Sequence, residues 1–386
     1  MRSLLNSIIF SLLILAAGCG STPVAKPDMT SSRRLPAKII KVSIVENALT
    51  VTVSSDSGIK AANLATGQKA SFEANKTIVA RPLTKSVTLN NEQFGREVSL
   101  TSSSGIIEVN GRNYRDAILI RNNKGKLTVI NKLSVEEYLY GVIAREIIVN
   151  WPMEVLKAQA VASRTYLLAN LGKYAESGYD VSSDVYSQVY GGMDSENPRT
   201  TQAVDETRNE VIVWHGEIAK VYFHACCGGH TDNTSDVWDG ENEPYLDGVR
   251  CPYCYDSPHW KWNVTISRNE LERALGKGFG FTTLSDIQID KRSNTGRIKT
   301  LILSTDIGEI CVQAHRFRLL LGVNRIKSTM FSVTRRGSYF KFTGKGWGHG
   351  VGFCQWGGYG MAKRGADYRK IIGHYFPGVE IERWSN

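Results

Sequence analysis

The stretch 134–171 constrains the fold more than any other, because it reads as two helices joined by a short break. Ser134 is followed three residues later by Glu137, the capping-box signature that starts a helix. Tyr138, Leu139, Val142 and Ile143 then recur at helical spacing. Asn150 offers a cap for the second helix, and Pro152 is tolerated in its first turn, where no amide donor is required. Val155, Ala158, Ala162 and Ala169 give this second helix an apolar stripe. Small alanines on that stripe predict close approach to a neighbour. Lys157 and Arg164, seven apart, share a different face. Glu146 falls where the first helix ends, beside Ile147 and Ile148. An apolar setting raises the proton affinity of a carboxyl, as a general acid requires. The same position also suits an ordinary solvated charge.

The sequence ahead of these helices reads as β. Residues 39–44 and 49–53 alternate with β-branched side chains. Asn110-Gly111 between residues 106–109 and 114–120 is a strong hairpin signal, and Asn123-Lys124-Gly125 turns the chain again. The expected class is therefore α+β, with antiparallel β-rich domains around a central helix pair that carries the active-site motif. Beyond the pair, residues 203–214 predict a short helix and a strand. A helix is expected over 268–275, strands over 285–303 and a basic helix over 313–322.

Four sequence blocks resemble the SpoIID/LytB family, the stage II sporulation protein D and amidase-enhancer-like proteins of bacterial cell walls. The first block is Glu146, Trp151-Pro152, Leu156 to Ala162 and Arg164-Thr165-Tyr166. The second is Gln188-Val189-Tyr190. The third is Cys227-Gly228-Gly229 with Thr231, then Pro244-Tyr245-Leu246. The fourth is the glycine-dense run 344–357, with His374 to Gly378 near the end. The resemblance covers about residues 105 to 382 and implies a catalytic domain over 132–386, preceded by a β-rich region over 37–131.

Where members of that family are enzymes, the reaction is lytic transglycosylation of peptidoglycan between N-acetylmuramic acid and N-acetylglucosamine, leaving 1,6-anhydro ends. Other members stimulate wall amidases. The resemblance makes Glu146 the single general acid and base. It makes Lys157, Gln159, Arg164, Tyr166, Gln188, Tyr245, Trp347, His349 and Gln355 candidate substrate-binding residues, with the glycines of 344–357 admitting the polymer. Some members carry zinc-ligating Cys and His in the loop where Ser182, Tyr186 and Ser187 stand here, so that site is expected to be missing.

Seven cysteines are present, four of them between positions 226 and 254. Cys251 and Cys254 have zinc-knuckle spacing, and Cys227 with His230 would complete a set of four ligands. The alternative is a disulfide staple, the usual state of thiols in an exported chain. Either role is structural, and no cofactor is expected in the chemistry. Residues 1–18 read as a leader peptide, and Leu15 to Cys19 resembles a bacterial lipobox with Cys19 as the lipidated residue. Residues 19–36 read as a tether reaching about 55 Å when extended. The expected place is thus extracytoplasmic, anchored by lipid to a bacterial membrane, the outer one if present. The formal charge is +10. With no nucleic-acid motif in the chain, this favours a membrane surface or an anionic wall polymer as partner. A cell-wall amidase is a further candidate partner.

Overall fold

The computed structural model describes residues 38–184, 187–238 and 242–385. The leader, the tether and Cys19 lie outside the described residues. The fold is α+β, with eight α-helices among the described residues and mostly antiparallel sheets.

Residues 39–134, with Val181–Ser182 added at one edge, build two sheets. One has seven strands and runs from Val181–Ser182 through Ile39–Ala48, Lys126–Ser134, Ala117–Asn123, Glu97–Thr101 and Ile59–Ala62 to Lys69–Phe72. The other has six and includes Arg112–Arg115, Ile106–Val109, Val51–Ser54 and Ile78–Leu83. Both predicted turns are two-residue hairpins. Asn110 and Gly111 have φ of 48° and 79°, and Lys124 and Gly125 have 52° and 82°. Positive φ at both central positions matches the strand twist, which is why Asn-Gly marks such turns.

The strand Lys126–Ser134 leads directly into α1 (Val135–Glu146). Ser134 is paired with Ile39 in the sheet and also caps the helix. Its hydroxyl accepts from the Glu137 amide, and the Glu137 carboxylate accepts from the Ser134 amide. This junction aims α1 from the sheet. Replacing Ser134 with alanine should lower stability by about 1 kcal/mol, read as a lower urea midpoint with an unchanged m-value; an unchanged midpoint would remove the cap from the account.

α2 (Met153–Ala169) starts differently from expectation. Pro152 itself occupies the cap position, with no side-chain cap, and Asn150 is exposed. The link between the helices is held from outside, where Arg199 donates to the carbonyls of Val149 and Trp151 at 3.0 and 2.7 Å. α3 (Pro198–Glu206) packs on both α1 and α2. A short α4 (Thr234–Val237) follows.

α5 (Arg268–Phe279) and α6 (Ala314–Leu321) belong with two three-stranded sheets. Together they form a hydrophobic core of their own, from Trp262 to Phe342, centred on Phe317, Phe331, Phe340 and Phe342. The main core is separate: it joins the N-terminal sheets to α1, α2, α7 (Gln355–Ala362) and α8 (Tyr368–Tyr375). The chain thus leaves the main core for about residues 262–342 and returns to it. On return, Phe353–Cys354 pairs in parallel with Phe223–His224. That pairing brings the glycine-dense run beside the Cys226-Cys227 segment.

Candidate active site around Glu146

Glu146 is the last residue of α1 and is part-exposed. Its Oε1 accepts from the Val189 amide at 3.3 Å. Its Oε2 has no hydrogen-bond partner among the described residues. Burial pushes the carboxyl up to about 7, against smaller opposing effects of the Val189 amide and the Arg145 charge. The expected desolvation is present, but Ile148 does not supply it, since that side chain is exposed. Ile147 is buried. The rest of the setting comes from elements distant in sequence: the Gln188-Val189 loop, α2 and the start of α7.

Three glutamines expected at the substrate form one network here. The Gln355 side-chain amide donates to the Glu146 carbonyl at 2.8 Å and to Gln159 Oε1 at 3.1 Å. Gln159 in turn donates to Ser163 at 3.0 Å. Gln188 donates to the Ser163 carbonyl at 3.4 Å and accepts from the Tyr138 hydroxyl at 3.5 Å. All three glutamines are buried. They fix the end of α1 and the loop that offers Val189, and they bring no charge that would ionise the acid. Tyr166 is part-exposed, and the charge of Glu146 is among the influences that, after burial, raise its hydroxyl. Beside Gln355, Trp356 packs with Trp151 and Tyr359 at ring separations of 4.8 and 5.3 Å. Trp151 and Trp356 stand in separate motif blocks, and nothing local joins them, because Trp151 comes from the link before α2 while Trp356 and Tyr359 come from α7.

The other expected residues are engaged in contacts within the protein. Arg164 is fully buried. It makes a two-pronged pair with Glu136 at 2.9 and 2.7 Å and also donates to the carbonyls of Glu210 and Val204. Lys157 sits on the same side of α2 and bonds Glu154 and Glu206. Both cations therefore serve the contact with α3. Tyr245 is buried, its hydroxyl accepting from the Lys220 amide at 2.9 Å. His349 uses both ring nitrogens on backbone, Nε2 with the Phe223 carbonyl and Nδ1 with the Val351 amide, and burial pushes its value down to about 3. Trp347 donates to the Val323 carbonyl at 3.1 Å and packs on His259.

Within the protein, the glycine run packs against the Cys226-Cys227 segment and His224. A Cβ on Gly346 would lie 2.6 Å from the Cys226 carbonyl, and one on Gly348 would lie 2.6 Å from the His224 Cβ. Glycine is needed because the run lies flat against this neighbouring segment.

The thiols also differ from expectation. Cys227, Cys251, Cys254 and Cys354 are buried, and their sulfurs lie within 4.8 Å of one another. No disulfide joins any cysteine among the described residues. His230 is outside the cluster, its Nδ1 turned to the Thr231 carbonyl, and Cys354 holds the place expected for it.

Residues 123–214 match the family described as Stage II sporulation protein, and residues 253–352 match a domain of unknown function that brackets the second core. An uncharacterized protein of Brachyspira hyodysenteriae is 33% identical over 346 residues, covering 89% of this chain and 92% of that one. The Amidase enhancer of Bacillus subtilis is 25% identical over 292 residues, covering 63% of this chain but 40% of its own length. Stage II sporulation protein D of Bacillus amyloliquefaciens is 30% identical over 268 residues, covering 65% of this chain and 75% of the relative. The helix pair, the loop at Val189 and these relatives together show that the chain belongs to the SpoIID/LytB family.

Proposed function

We propose that the chain is a peptidoglycan lytic transglycosylase with Glu146 as its only acid and base. The supporting observation is the state of that carboxyl: raised to about 7 by burial, one oxygen without a hydrogen-bond partner among the described residues, and no second carboxylate among the groups that shift it. Hydrolytic glycosidases pair two carboxylates, one of which activates water or attacks the sugar. An intramolecular transfer needs one. Glu146 gives its proton to the glycosidic oxygen as the bond to muramyl C1 breaks. The resulting carboxylate then takes the proton of the muramyl 6-hydroxyl as that oxygen bonds to C1. The anhydro ring closes, the acid is regenerated and no water is consumed. Tyr166 and Trp356, both part-exposed, are the side chains this reading assigns to sugar contact.

A second reading draws on the relative named Amidase enhancer. On that reading the same surface binds the wall and stimulates an amidase without cleaving glycan. Mass spectrometry of sacculi digested with the purified chain separates the two. Anhydro-ended muropeptides are the expected product. Their absence, together with faster release of peptides by an added amidase, would favour the activator.

A further inference from the structure

We propose that Cys227, Cys251, Cys254 and Cys354 are the four ligands of one structural zinc ion that clamps the start of α7 to the Cys227 and Cys251–Cys254 segments. All four sulfurs converge within 4.8 Å, and those of Cys227 and Cys254 are 3.5 Å apart. Metal–sulfur bonds of about 2.3 Å in a tetrahedron put sulfurs about 3.8 Å from each other, so a single ion fits the space. A cluster of four irons needs its cysteine sulfurs much farther apart. Four thiolates in tetrahedral array select zinc or a lone iron among common metals. With every ligand position filled by protein and every cysteine buried, no site remains for substrate, which makes the ion structural.

Two further observations point to a metal at this spot. The first is the set of donors aimed at the sulfurs. The Cys227 and Gly357 amides donate to Cys354 Sγ at 3.2 and 3.3 Å, and the Gly229 amide donates to Cys227 Sγ at 3.4 Å. The Tyr375 hydroxyl lies 3.1 Å from Cys251 Sγ. A neutral thiol is a weak acceptor, whereas metal-bound thiolates are regularly held by such donors. Cys354 is also the N-cap of α7, where a negative sulfur is favoured by the helix dipole.

The second is Arg297. Its guanidinium is fully buried and donates through Nη2 to the carbonyls of Cys227 and His230, while Nε and Nη1 have no hydrogen-bond partner among the described residues. Its nearest carboxylate, Asp232, is 4.0 Å away. A buried cation so poorly paired is costly. Zinc with four thiolates carries two net negative charges, which would add to the single buried counter-charge that Asp232 supplies.

The ligands come from three places in the chain, so the ion closes long loops. Cys354 is followed by Gln355, whose amide holds the end of α1. The zinc therefore fixes one wall of the Glu146 site, and its assignment stands whether or not Glu146 is a catalyst.

The purified wild-type chain should contain one zinc per molecule by inductively coupled plasma mass spectrometry. Chain produced with Co2+ in place of zinc should show intense sulfur-to-cobalt charge transfer in the near ultraviolet and tetrahedral ligand-field bands in the red. Cys354→Ser and Cys254→Ser should lose the metal, and Cys226→Ser, whose thiol is adjacent but outside the set, should keep it. The wild-type spectrum decides even where a variant does not fold. Metal-free protein with these thiols joined as disulfides would overturn the proposal, as would a cobalt spectrum without thiolate bands. Loss of metal in Cys226→Ser with retention in Cys354→Ser would overturn the ligand set, and iron in place of zinc would overturn the choice of ion.

Discussion

Glu146→Gln is expected to lower the release of anhydro-ended muropeptides by roughly a hundred- to ten-thousand-fold, the usual contribution of a positioned general acid. Glutamine has nearly the same shape, and its carbonyl can still accept from the Val189 amide, so the fold and the affinity for sacculi should be kept. What it lacks is a transferable proton. The pH profile of the wild type tests the same group independently. With the carboxyl held at about 7, the acid form dominates below that value. The rate should therefore be flat on the acid side and fall about tenfold per pH unit above it, as for one essential proton. Stability has a matching sign. A carboxyl whose value is near 4.3 in the unfolded chain and about 7 in the folded one binds its proton more tightly when folded. Its contribution is fully present below the unfolded value and is lost as pH rises through about 7. Glutamine does not titrate, so the variant should gain stability relative to wild type as pH rises across that window. Wild-type rates of anhydro product from the variant would end the assignment, and so would a wild-type rate that climbs through pH 7.

How much of this could be read from residues alone depended on the range of the interactions. The start of α1 was legible because Ser134 and Glu137 act within one turn. The hairpins were legible because Asn110-Gly111 and Lys124-Gly125 determine their own backbone angles. Glu146 was found by resemblance, and its apolar setting was attributed to Ile147 and Ile148. In the fold, Gln355 and Val189 reach it from far along the chain, and no periodicity announces such contacts. The cysteines carry the same lesson. Cys251 and Cys254 are a local pattern, whereas Cys354 joins them only because Phe353–Cys354 pairs with Phe223–His224. The separate core around Phe317 was also hidden, since the helices and strands that build it look locally like those of the main one. The basic face of α2 misled most. Spacing put Lys157 and Arg164 together correctly, but it carries no sign of whether that face meets solvent, substrate or α3.

That face gives the second large effect. Arg164→Met is expected to cost about 3–5 kcal/mol, the range for breaking a buried ion pair from one side. Among the described residues Glu136 would keep only the Asn209 amide, at 3.2 Å, as a hydrogen-bond partner, and the carbonyls of Val204 and Glu210 would lose a donor each. Lys157→Met removes a partly exposed cation from Glu154 and Glu206 and should cost less than about 1 kcal/mol. Pairing Arg164→Met with Glu136→Leu should recover part of the loss, because neither charge is then stranded. Recovery should be incomplete, since the carbonyls and the Asn209 amide remain unmatched. Guanidinium unfolding of the three variants reads these differences directly. A role in holding the glycan predicts another pattern: Arg164→Met would raise KM for sacculi while its unfolding midpoint stayed with that of Lys157→Met. The structural assignment of Arg164 fails on that result, because a guanidinium free to meet a sugar carboxylate is not also the bolt between α1, α2 and α3.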